Sequence, residues 1–175
     1  MSAETEFLQA VLPAADAVYN LARRLTRDAG EAEDLVQETY LRAWQAWGQQ
    51  RRPRRVEPWL ATICLNLGRD AARGRARRPA ALPVEDLADR PDRVDVAEQA
   101  VRRVLRADAE AALRALPETQ RIAVVLMDLC GLTAAEAAAV TGSPRGTVLA
   151  RAHRGRKALA ALVGGMEGEP RATRP

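Results

Sequence analysis

The sequence predicts an all-α protein of two helical domains joined by a flexible acidic linker, and three observations support this prediction. Apolar residues recur with helical periodicity in seven segments, and no segment alternates between apolar and polar residues as a half-buried strand would. Aromatic residues make up only 3% of the 175 residues, and all of them lie before residue 60. The C-terminal half must therefore build its core from Leu, Val, Ile, Met and Ala, which suits packed helices. The third observation is a proline-containing acidic stretch that divides the chain.

The N-terminal domain is predicted to span residues 1–78, with three helices at roughly 5–26, 31–47 and 57–73. Asp28 and Glu31 have the spacing of a capping box, which predicts the start of the second helix. The apolar residues of that helix that follow the helical period are expected to be buried. They are Ala32, Leu35, Val36, Tyr40, Ala43, Trp44 and Trp47.

A second stripe on the same helix is mostly polar. Its members are spaced i, i+3, i+4 and i+7, and they are Asp34, Gln37, Glu38 and Leu41. Residues at this spacing share one face of a helix. Two interpretations stay open from the spacing alone: an ordinary solvated charged face, or a face that docks on a partner.

The third predicted helix changes along its length from apolar to strongly basic. Residues 69–78 contain five arginines and one aspartate, and more arginines precede the helix within residues 51–55. Such a concentration of positive charge attracts phosphate groups, so the region is predicted to hold a nucleic-acid strand. Trp59 has two interpretations, as a core residue or as a platform on which a base stacks.

Residues 79–98 are predicted to form the linker. They carry six carboxylates and contain three prolines, Pro79, Pro83 and Pro91. Prolines at this spacing exclude a continuous helix, and the charge favours solvation. The net charge is −4 here, against +3 for residues 1–78 and +5 for residues 99–175, which sums to the +4 of the whole chain. The linker therefore separates two basic bodies.

The C-terminal domain is predicted to span residues 99–165, followed by a disordered tail at 166–175. Its helices are predicted at roughly 97–115, 118–129, 134–141 and 145–163. Thr133 and Glu136 form a capping box for the third of these helices, and Gly142 provides the left-handed turn that ends it. Ser143 and Pro144 are suited to begin the fourth. This is a helix-turn-helix pattern.

The second helix of that motif is purely basic. It carries Arg145, Arg151, Arg154, Arg156 and Lys157, with no acidic residue among them. A helix-turn-helix with such a helix is expected to place it in the major groove of DNA. A helical hairpin that binds no DNA is the alternative interpretation.

Several classes of protein are disfavoured by what the sequence lacks. No apolar run approaches the length of a membrane span and no signal peptide is evident, so we expect a soluble cytoplasmic protein without membrane insertion. Cys64, Cys130 and His153 are isolated from one another in the sequence and offer no zinc spacing. Both cysteines are expected to be buried, reduced thiols. No cofactor motif and no catalytic motif are present, so nothing in the sequence points to a cofactor. A hydrolase that uses a pair of buried carboxylates stays open, although nothing points to one.

Both halves together resemble one family. The segments AEDLVQETYLRAW, PWLATICLNLGRDAARGRARR and LTAAEAAAVTGSPRGTVLARAHRGRKAL, in this order around an acidic linker, are similar to bacterial RNA polymerase sigma factors of the extracytoplasmic-function (ECF) group. The resemblance covers about Ala14 to Leu162. It implies a non-enzymatic protein that binds core RNA polymerase, through the β′ clamp helices and the β flap, and directs initiation at promoter DNA.

The resemblance also implies roles for individual residues. The polymerase-binding residues would be Asp34, Leu35, Gln37, Glu38 and Leu41. The residues that bind the −10 element would be Trp59, Asn66, Arg69, Asp70 and Arg73, with the loop at 48–57 helping to hold a flipped base. The residues that bind the −35 element would be Arg145, Thr147, Arg151, His153 and Arg154. The chain departs from the family at Leu149 and Ala150, where a basic and a small polar residue are usual.

Two other functions stay open at this point. One is a helix-turn-helix transcriptional regulator that binds duplex DNA without polymerase. The other is a helical scaffold whose basic faces bind RNA or another protein. Because many ECF sigma factors are held by an anti-sigma factor, the resemblance adds such a protein to the candidate partners.

Overall fold

The computed structural model describes residues 2–48, 52–76 and 108–166, with side chains as far as Leu162 in the last range. These residues form helices and turns without a strand, so the all-α fold class is confirmed for the described part of the chain. The predicted linker at 79–98 and the predicted tail beyond Met166 lie outside the described residues. Met166 itself is the last residue of a helix.

The N-terminal half contains four helices and a short 3-10 turn. They are α1 (Ala3–Val11), the turn (Leu12–Ala14), α2 (Ala15–Leu25), α3 (Ala29–Gly48) and α4 (Val56–Ala76). The prediction of a single helix over 5–26 was wrong, because Pro13 cannot continue an α-helix. Pro13 lies instead in the first turn of the 3-10 segment between α1 and α2, where its missing N–H is tolerated. The predicted start of α3 is confirmed: the Glu31 backbone N–H donates to Asp28 Oδ1 (2.8 Å), and the Glu31 carboxylate accepts from the Arg27 N–H (3.1 Å).

Residues 108–166, the described part of the C-terminal half, contain four more helical segments. They are α5 (helical over 108–115), α6 (Glu118–Val124), α7 (Ala134–Thr141) and α8 (Arg145–Met166), and α6 continues into a wider π-helical turn (Val125–Leu129). The predicted capping box is confirmed, since Glu136 N–H donates to Thr133 Oγ1 (3.3 Å) and Thr133 N–H donates to Glu136 Oε2 (2.8 Å). Gly142 follows α7 with a φ of 65°, as the turn requires.

The two halves close on each other around one shared core. Buried Leu21 and Leu60 of the N-terminal half belong to the same apolar cluster as Leu126 of the C-terminal half. Helices α2 and α4 pack against the π-helical turn and α7, and the Cys130 thiol donates to the carbonyl oxygen of Ala17 (3.5 Å). We refer to this packing as the closed arrangement.

Most of the stripe that was predicted to be buried on α3 is buried, with one exception. Ala32, Leu35, Ala43 and Trp47 are buried and Val36 and Tyr40 partly so, but Trp44 is 38% exposed. The Trp44 ring packs edge-on against Phe7 of α1 (centroids 5.1 Å apart), which leaves part of it open to solvent. The expected burial of Trp44 was therefore wrong, because α1 covers only one side of the ring.

Gly155 allows α8 to cross α6 at short range, and its substitution tests that packing. A Cβ at this position would lie 2.7 Å from Val124 Cγ2 and 3.3 Å from the Gln120 carbonyl oxygen. We expect Gly155→Ala to lower the free energy of unfolding by about 1–3 kcal/mol, measured by urea denaturation, because the close contact must be relieved. Gly146→Ala in the same helix is the control, since no atom lies within 4 Å of its Cβ, and we expect it to be neutral or to stabilise by up to about 1 kcal/mol. Equal effects of the two substitutions would contradict this account.

Candidate nucleic-acid interface

The residues predicted to bind the −10 element share one outward face of α4. Trp59, Asn66, Arg69, Asp70 and Arg73 lie within about a quarter of the helix circumference and extend over about 21 Å of its length. Asn66, Asp70 and Arg73 are exposed and Arg69 is partly so. Arg73 pairs with Asp70 (3.2 Å), but both side chains are about 70% exposed, so the pair is weak and open to a competing ligand.

Trp59 begins this face and is half-buried. Its ring contacts Trp47 of α3, with the two centroids 6.2 Å apart. Trp47 in turn carries the Arg52 guanidinium 5.4 Å from its ring centroid, within the range of a cation–π contact. Trp59 therefore anchors α4 on α3, as the core interpretation predicted, and part of its surface stays open to solvent. Base stacking on this ring stays a prediction.

The arginines around α4 divide into those engaged within the protein and those that are open. Arg75 lies on the other side of α4 from the residues predicted to bind the −10 element, and it contacts Glu31 (3.4 Å). Hydrogen bonds from Arg27 lower the pKa of Glu31, and the charge of Arg75 contributes to the same shift. Before α4, Arg52 pairs with Glu6 (2.6 Å), whereas Arg54 is exposed and has no ion pair within the described residues. The predicted positive surface is thus smaller than the arginine count suggests.

The polar stripe on α3 is a solvent-exposed face. Asp34 and Gln37 are exposed, and Leu41 is 50% exposed. Glu38 lies beside them and pairs with Arg42 (2.7 Å). Leu35, which was also predicted to bind polymerase, is only 7% exposed and packs in the core, so it does not reach this face. The stripe presents acidic and amide groups around an exposed leucine.

Trp44 extends this face by one helical turn and was missed as a site residue. It lies three residues after Leu41, and both side chains are among the exposed large apolar groups of the chain. Exposed apolar residues next to each other, bordered by polar ones, are typical of a protein-binding surface. The spacing of Leu41 and Trp44 could have revealed this, but the aromatic side chain favoured a core assignment.

Helix α8 exposes most of the residues predicted to bind the −35 element. Arg145, His153 and Arg154 are exposed and Thr147 partly so, while Val148 and Ala152 face the core. Arg154 makes no ion pair within the described part of the chain. Leu149 is 40% exposed and Ala150 is exposed, so the two departures from the family pattern lie at the surface of this helix.

Two other basic residues of α8 hold the motif together. The Arg151 guanidinium donates to Ser143 Oγ (2.9 Å) in the turn before the helix. Arg156 makes a bidentate contact with Asp128 at the end of the π-helical turn (2.7 and 2.9 Å), and this hydrogen bonding raises the pKa of Arg156. Arg151, which was predicted to bind the −35 element, is therefore partly buried and engaged with the turn before the helix.

Comparison with known protein families agrees with this geometry. Residues 12–78 match Sigma-70 region 2, and residues 106–159 match Sigma-70 region 4. The RNA polymerase sigma factor CarQ of Myxococcus xanthus is 35% identical over 86% of this chain and 84% of its own length. The ECF RNA polymerase sigma factor SigL of Mycobacterium tuberculosis is 36% identical over 90% of this chain and 89% of its own length. The chain belongs to the ECF sigma factor family.

Other relatives differ more in length, and solved structures share the fold. The chain is 41% identical to the ECF RNA polymerase sigma factor SigE of Mycolicibacterium smegmatis but spans only 56% of that protein. The sigma factor RpoE of Bartonella quintana, solved with the anti-sigma factor NepR, has a TM-score of 0.74 at 28% identity, over 91% of this chain and 97% of that one. CnrH, solved with the cytosolic domain of CnrY, has a TM-score of 0.67 at 28% identity, over 93% and 90% of the two chains. Both likenesses extend over the two halves of this ECF sigma factor.

The remaining polar and thiol groups suggest no further chemistry in the described part of the chain. No group of three or more residues there could hold a metal ion, and no helix has the length and apolar character to cross a membrane. Cys64 and Cys130 are both buried free thiols. Burial raises the pKa of Cys64 to about 12 and that of Cys130 to about 11.

The buried thiols provide a test of the core. At pH 8 we expect a maleimide to label neither Cys64 nor Cys130 appreciably in the folded protein, because burial blocks access and makes the thiolate fraction of Cys64 roughly a thousandfold smaller. Labelling in denaturant is the control, and both cysteines are expected to react there. Mass spectrometry counts the labels. Rapid reaction of either thiol in the folded chain would contradict the packing described here.

Proposed function

We propose that this chain is a sigma factor that binds core RNA polymerase and directs promoter-specific initiation by reading −10 and −35 elements. The observation that carries the proposal is that one chain presents three separate exposed faces, on α3, α4 and α8. Membership of the ECF family, whose relatives CarQ and SigL are RNA polymerase sigma factors, supports it. The chain adds no catalytic chemistry in this proposal, because nucleotidyl transfer belongs to the polymerase.

The α3 face is proposed to dock on the β′ clamp helices. Leu41 and Trp44 supply the apolar contact, and Asp34, Gln37 and Glu38 supply the surrounding polar groups. Buried aromatic anchors with a polar rim account for most of the affinity in typical protein interfaces. Leu35 contributes here only by supporting α3 from the core.

The α4 face is proposed to hold the −10 element as a single strand. Opening the duplex costs about 1.4 kcal/mol per base-pair step, so captured bases and phosphates must offset that cost. Trp59 offers an aromatic edge, Asn66 and Asp70 offer hydrogen-bonding groups for base edges, and Arg69 and Arg73 attract the backbone. Docking on polymerase contributes the remaining binding free energy, since the two contacts are tethered.

Helix α8 is proposed to lie in the major groove of the −35 element. Arg145, Thr147, His153 and Arg154 would contact DNA directly, with Arg151 fixing the turn and reaching a phosphate at the edge of the groove. The same domain is proposed to contact the β flap of the polymerase. Leu149 and Ala150 add an apolar surface suited to thymine methyl groups.

Further partners and the cellular location follow from this function. The protein is proposed to act in the cytoplasm, on the nucleoid. An anti-sigma factor is a proposed partner, because the similar sigma factor RpoE was solved in complex with the anti-sigma factor NepR.

The decisive test is a pull-down of the purified chain with bacterial core RNA polymerase, followed by transcription from a promoter library. Core binding with discrete start sites is expected, and it would give both promoter elements at once. Duplex binding without core binding would favour a polymerase-independent regulator. Absence of both would favour the scaffold.

The α3 face can be tested by substitution. We expect Gln37→Ala combined with Glu38→Ala to weaken core polymerase binding at least about tenfold while helicity by circular dichroism is unchanged, because both side chains are solvent-facing. Arg42→Ala is the matched control, since it breaks the same Glu38–Arg42 ion pair but leaves the proposed docking groups in place. The assignment fails if the double variant and the control bind core equally well.

The α8 face has its own test. We expect Arg154→Ala to weaken binding of the −35 duplex by about 1–3 kcal/mol, with relaxed specificity at one position if the guanidinium reads a base. A uniform loss over all sequences would indicate a phosphate contact instead. Arg156→Gln removes the same charge from the same helix, but that guanidinium is already paired with Asp128, so a smaller effect is expected. Fluorescence anisotropy on a panel of duplexes measures both, and an equal loss for the two variants would contradict the assignment.

A further inference from the structure

An ion pair joins the loop before α4 to the helix-turn-helix. Arg55 Nη1 lies 2.5 Å from Glu136 Oε1, across 81 residues of sequence. The other carboxylate oxygen of Glu136 accepts hydrogen bonds from the Thr133 N–H and hydroxyl (2.8 Å each). Glu136 therefore performs two functions at once: one oxygen caps α7 and the other contacts the opposite half of the chain. Hydrogen bonds from Thr133, followed by the charge of Arg55, lower the pKa of this carboxyl.

Glu110 of the C-terminal half forms a second ionic contact with the N-terminal half. Arg23 and Arg24 both pair with this carboxylate, at 3.3 and 3.2 Å, and their side chains are only 13% and 10% exposed. Together with the shared apolar core, these contacts hold the closed arrangement. The Arg55 side chain differs from Arg23 and Arg24 because it is 49% exposed, so a ligand can reach it.

The closed arrangement is too small to engage both promoter elements. Positions −10 and −35 are about 25 base pairs apart, which is roughly 85 Å of duplex. A compact body of this chain length is roughly 40 Å across. The 31 residues between Ala76 and Asp108 can reach about 100 Å when extended. Simultaneous recognition therefore requires the two halves to separate, which breaks the Arg55–Glu136 contact.

Separation would release an arginine beside the strand-binding face. Arg55 directly precedes α4, next to the exposed Arg54, in the loop where a flipped base is proposed to sit. A carboxylate and a phosphate each present a pair of anionic oxygens, and a guanidinium binds either pair with the same fork of N–H donors. Glu136 thus occupies on Arg55 the position that a DNA phosphate would take.

We propose that Arg55 alternates between two partners, Glu136 in the closed arrangement and a phosphate of the −10 strand in the open one, so that closure and strand capture exclude each other. The proposal rests on the proposed function above. It assigns Arg55 as a DNA-contacting residue and Glu136 as its competitor.

Two substitutions that break the Arg55–Glu136 contact are expected to change the affinity for single-stranded DNA in opposite directions. Glu136→Gln removes the charge but keeps the cap on α7, because glutamine also serves in a capping box. Arg55→Gln removes the other partner. Both are expected to increase the open fraction, by at most about fivefold for an ion pair at this exposure. The DNA probe is a single-stranded dT oligonucleotide of about 20 nucleotides, a length that spans a few strand-binding sites. The Glu136→Gln variant is expected to bind this oligonucleotide more tightly than the wild type does. The Arg55→Gln variant is expected to bind it more weakly.

The separation of the two halves is measured on the full chain as the distance between two spin labels, one in each half. Labels at Glu33→Cys on α3 and Ala160→Cys on α8 are suitable, because both positions are exposed while Cys64 and Cys130 are buried. Glu57→Gln is the matched control: Glu57 also contacts Arg55 (3.5 Å), but it belongs to the same half of the chain. It changes the charge equally and is expected to leave the label distance unchanged. Glu110→Gln, which loosens the closed arrangement without touching Arg55, is expected to raise both openness and DNA affinity.

Each outcome decides a separate part of the proposal. Unchanged distances for both Glu136→Gln and Arg55→Gln would overturn the role of this contact in closure. Equal gains in oligonucleotide affinity for the two variants, or no binding by any variant, would overturn the DNA contact of Arg55. Failure of the proposed function itself would appear elsewhere, as absence of core polymerase binding by the wild-type chain, and would leave the label distances informative.

Discussion

The burial of apolar residues from both halves in one core is the constraint on which the rest of the structure depends. Leu21, Leu60 and Leu126 each remove a large apolar side chain from water, worth about 1.5–3 kcal/mol apiece as an upper estimate. Because α2, α4 and α7 face inward to form this core, the charged residues of the α3, α4 and α8 faces are left at the surface. Arg23 and Arg24 of α2 are instead largely covered and pair with Glu110. The three exposed faces are thus a consequence of the packing, and the ion pairs between the halves add specificity to it.

The arginines show how charge is divided between structure and binding. Arg24, Arg75 and Arg156 are held by carboxylates, and a guanidinium in a bidentate or buried contact is costly to withdraw. Arg54, Arg145 and Arg154 are exposed instead. An overall positive charge therefore says little about where a nucleic acid would bind, whereas the distinction between engaged and open guanidinium groups supports the surfaces proposed on α4 and α8.

Short sequence patterns predicted local structure well, but they did not predict contacts between residues that are far apart in the sequence. The start of α3 at Asp28, the capping box at Thr133 and the turn at Gly142 follow from a few neighbouring residues, and all three are present. Helical periodicity also placed the α4 and α8 faces, because it fixes which residues share a side. It does not say which side a neighbour covers, so Trp44 was assigned to the core. The same periodicity placed Leu35 in the core, and only the family resemblance implied a polymerase contact for it. The Arg55–Glu136 and Arg156–Asp128 contacts join residues 81 and 28 positions apart, and no spacing rule reaches that far.

The tight crossing at Gly155 has a consequence for how promoter preference can diversify. Val148, Ala152 and Gly155 fix α8 against the body of the domain, while Ala150, His153 and Arg154 point outward between them. The inner set tolerates little change, but the outer set is free of packing obligations. Under the proposed role of α8 in reading the −35 element, a few outward substitutions would change the recognised DNA sequence while the packing of the domain stays constant. The same positions are then the ones to vary when a sigma factor with a different promoter preference is designed.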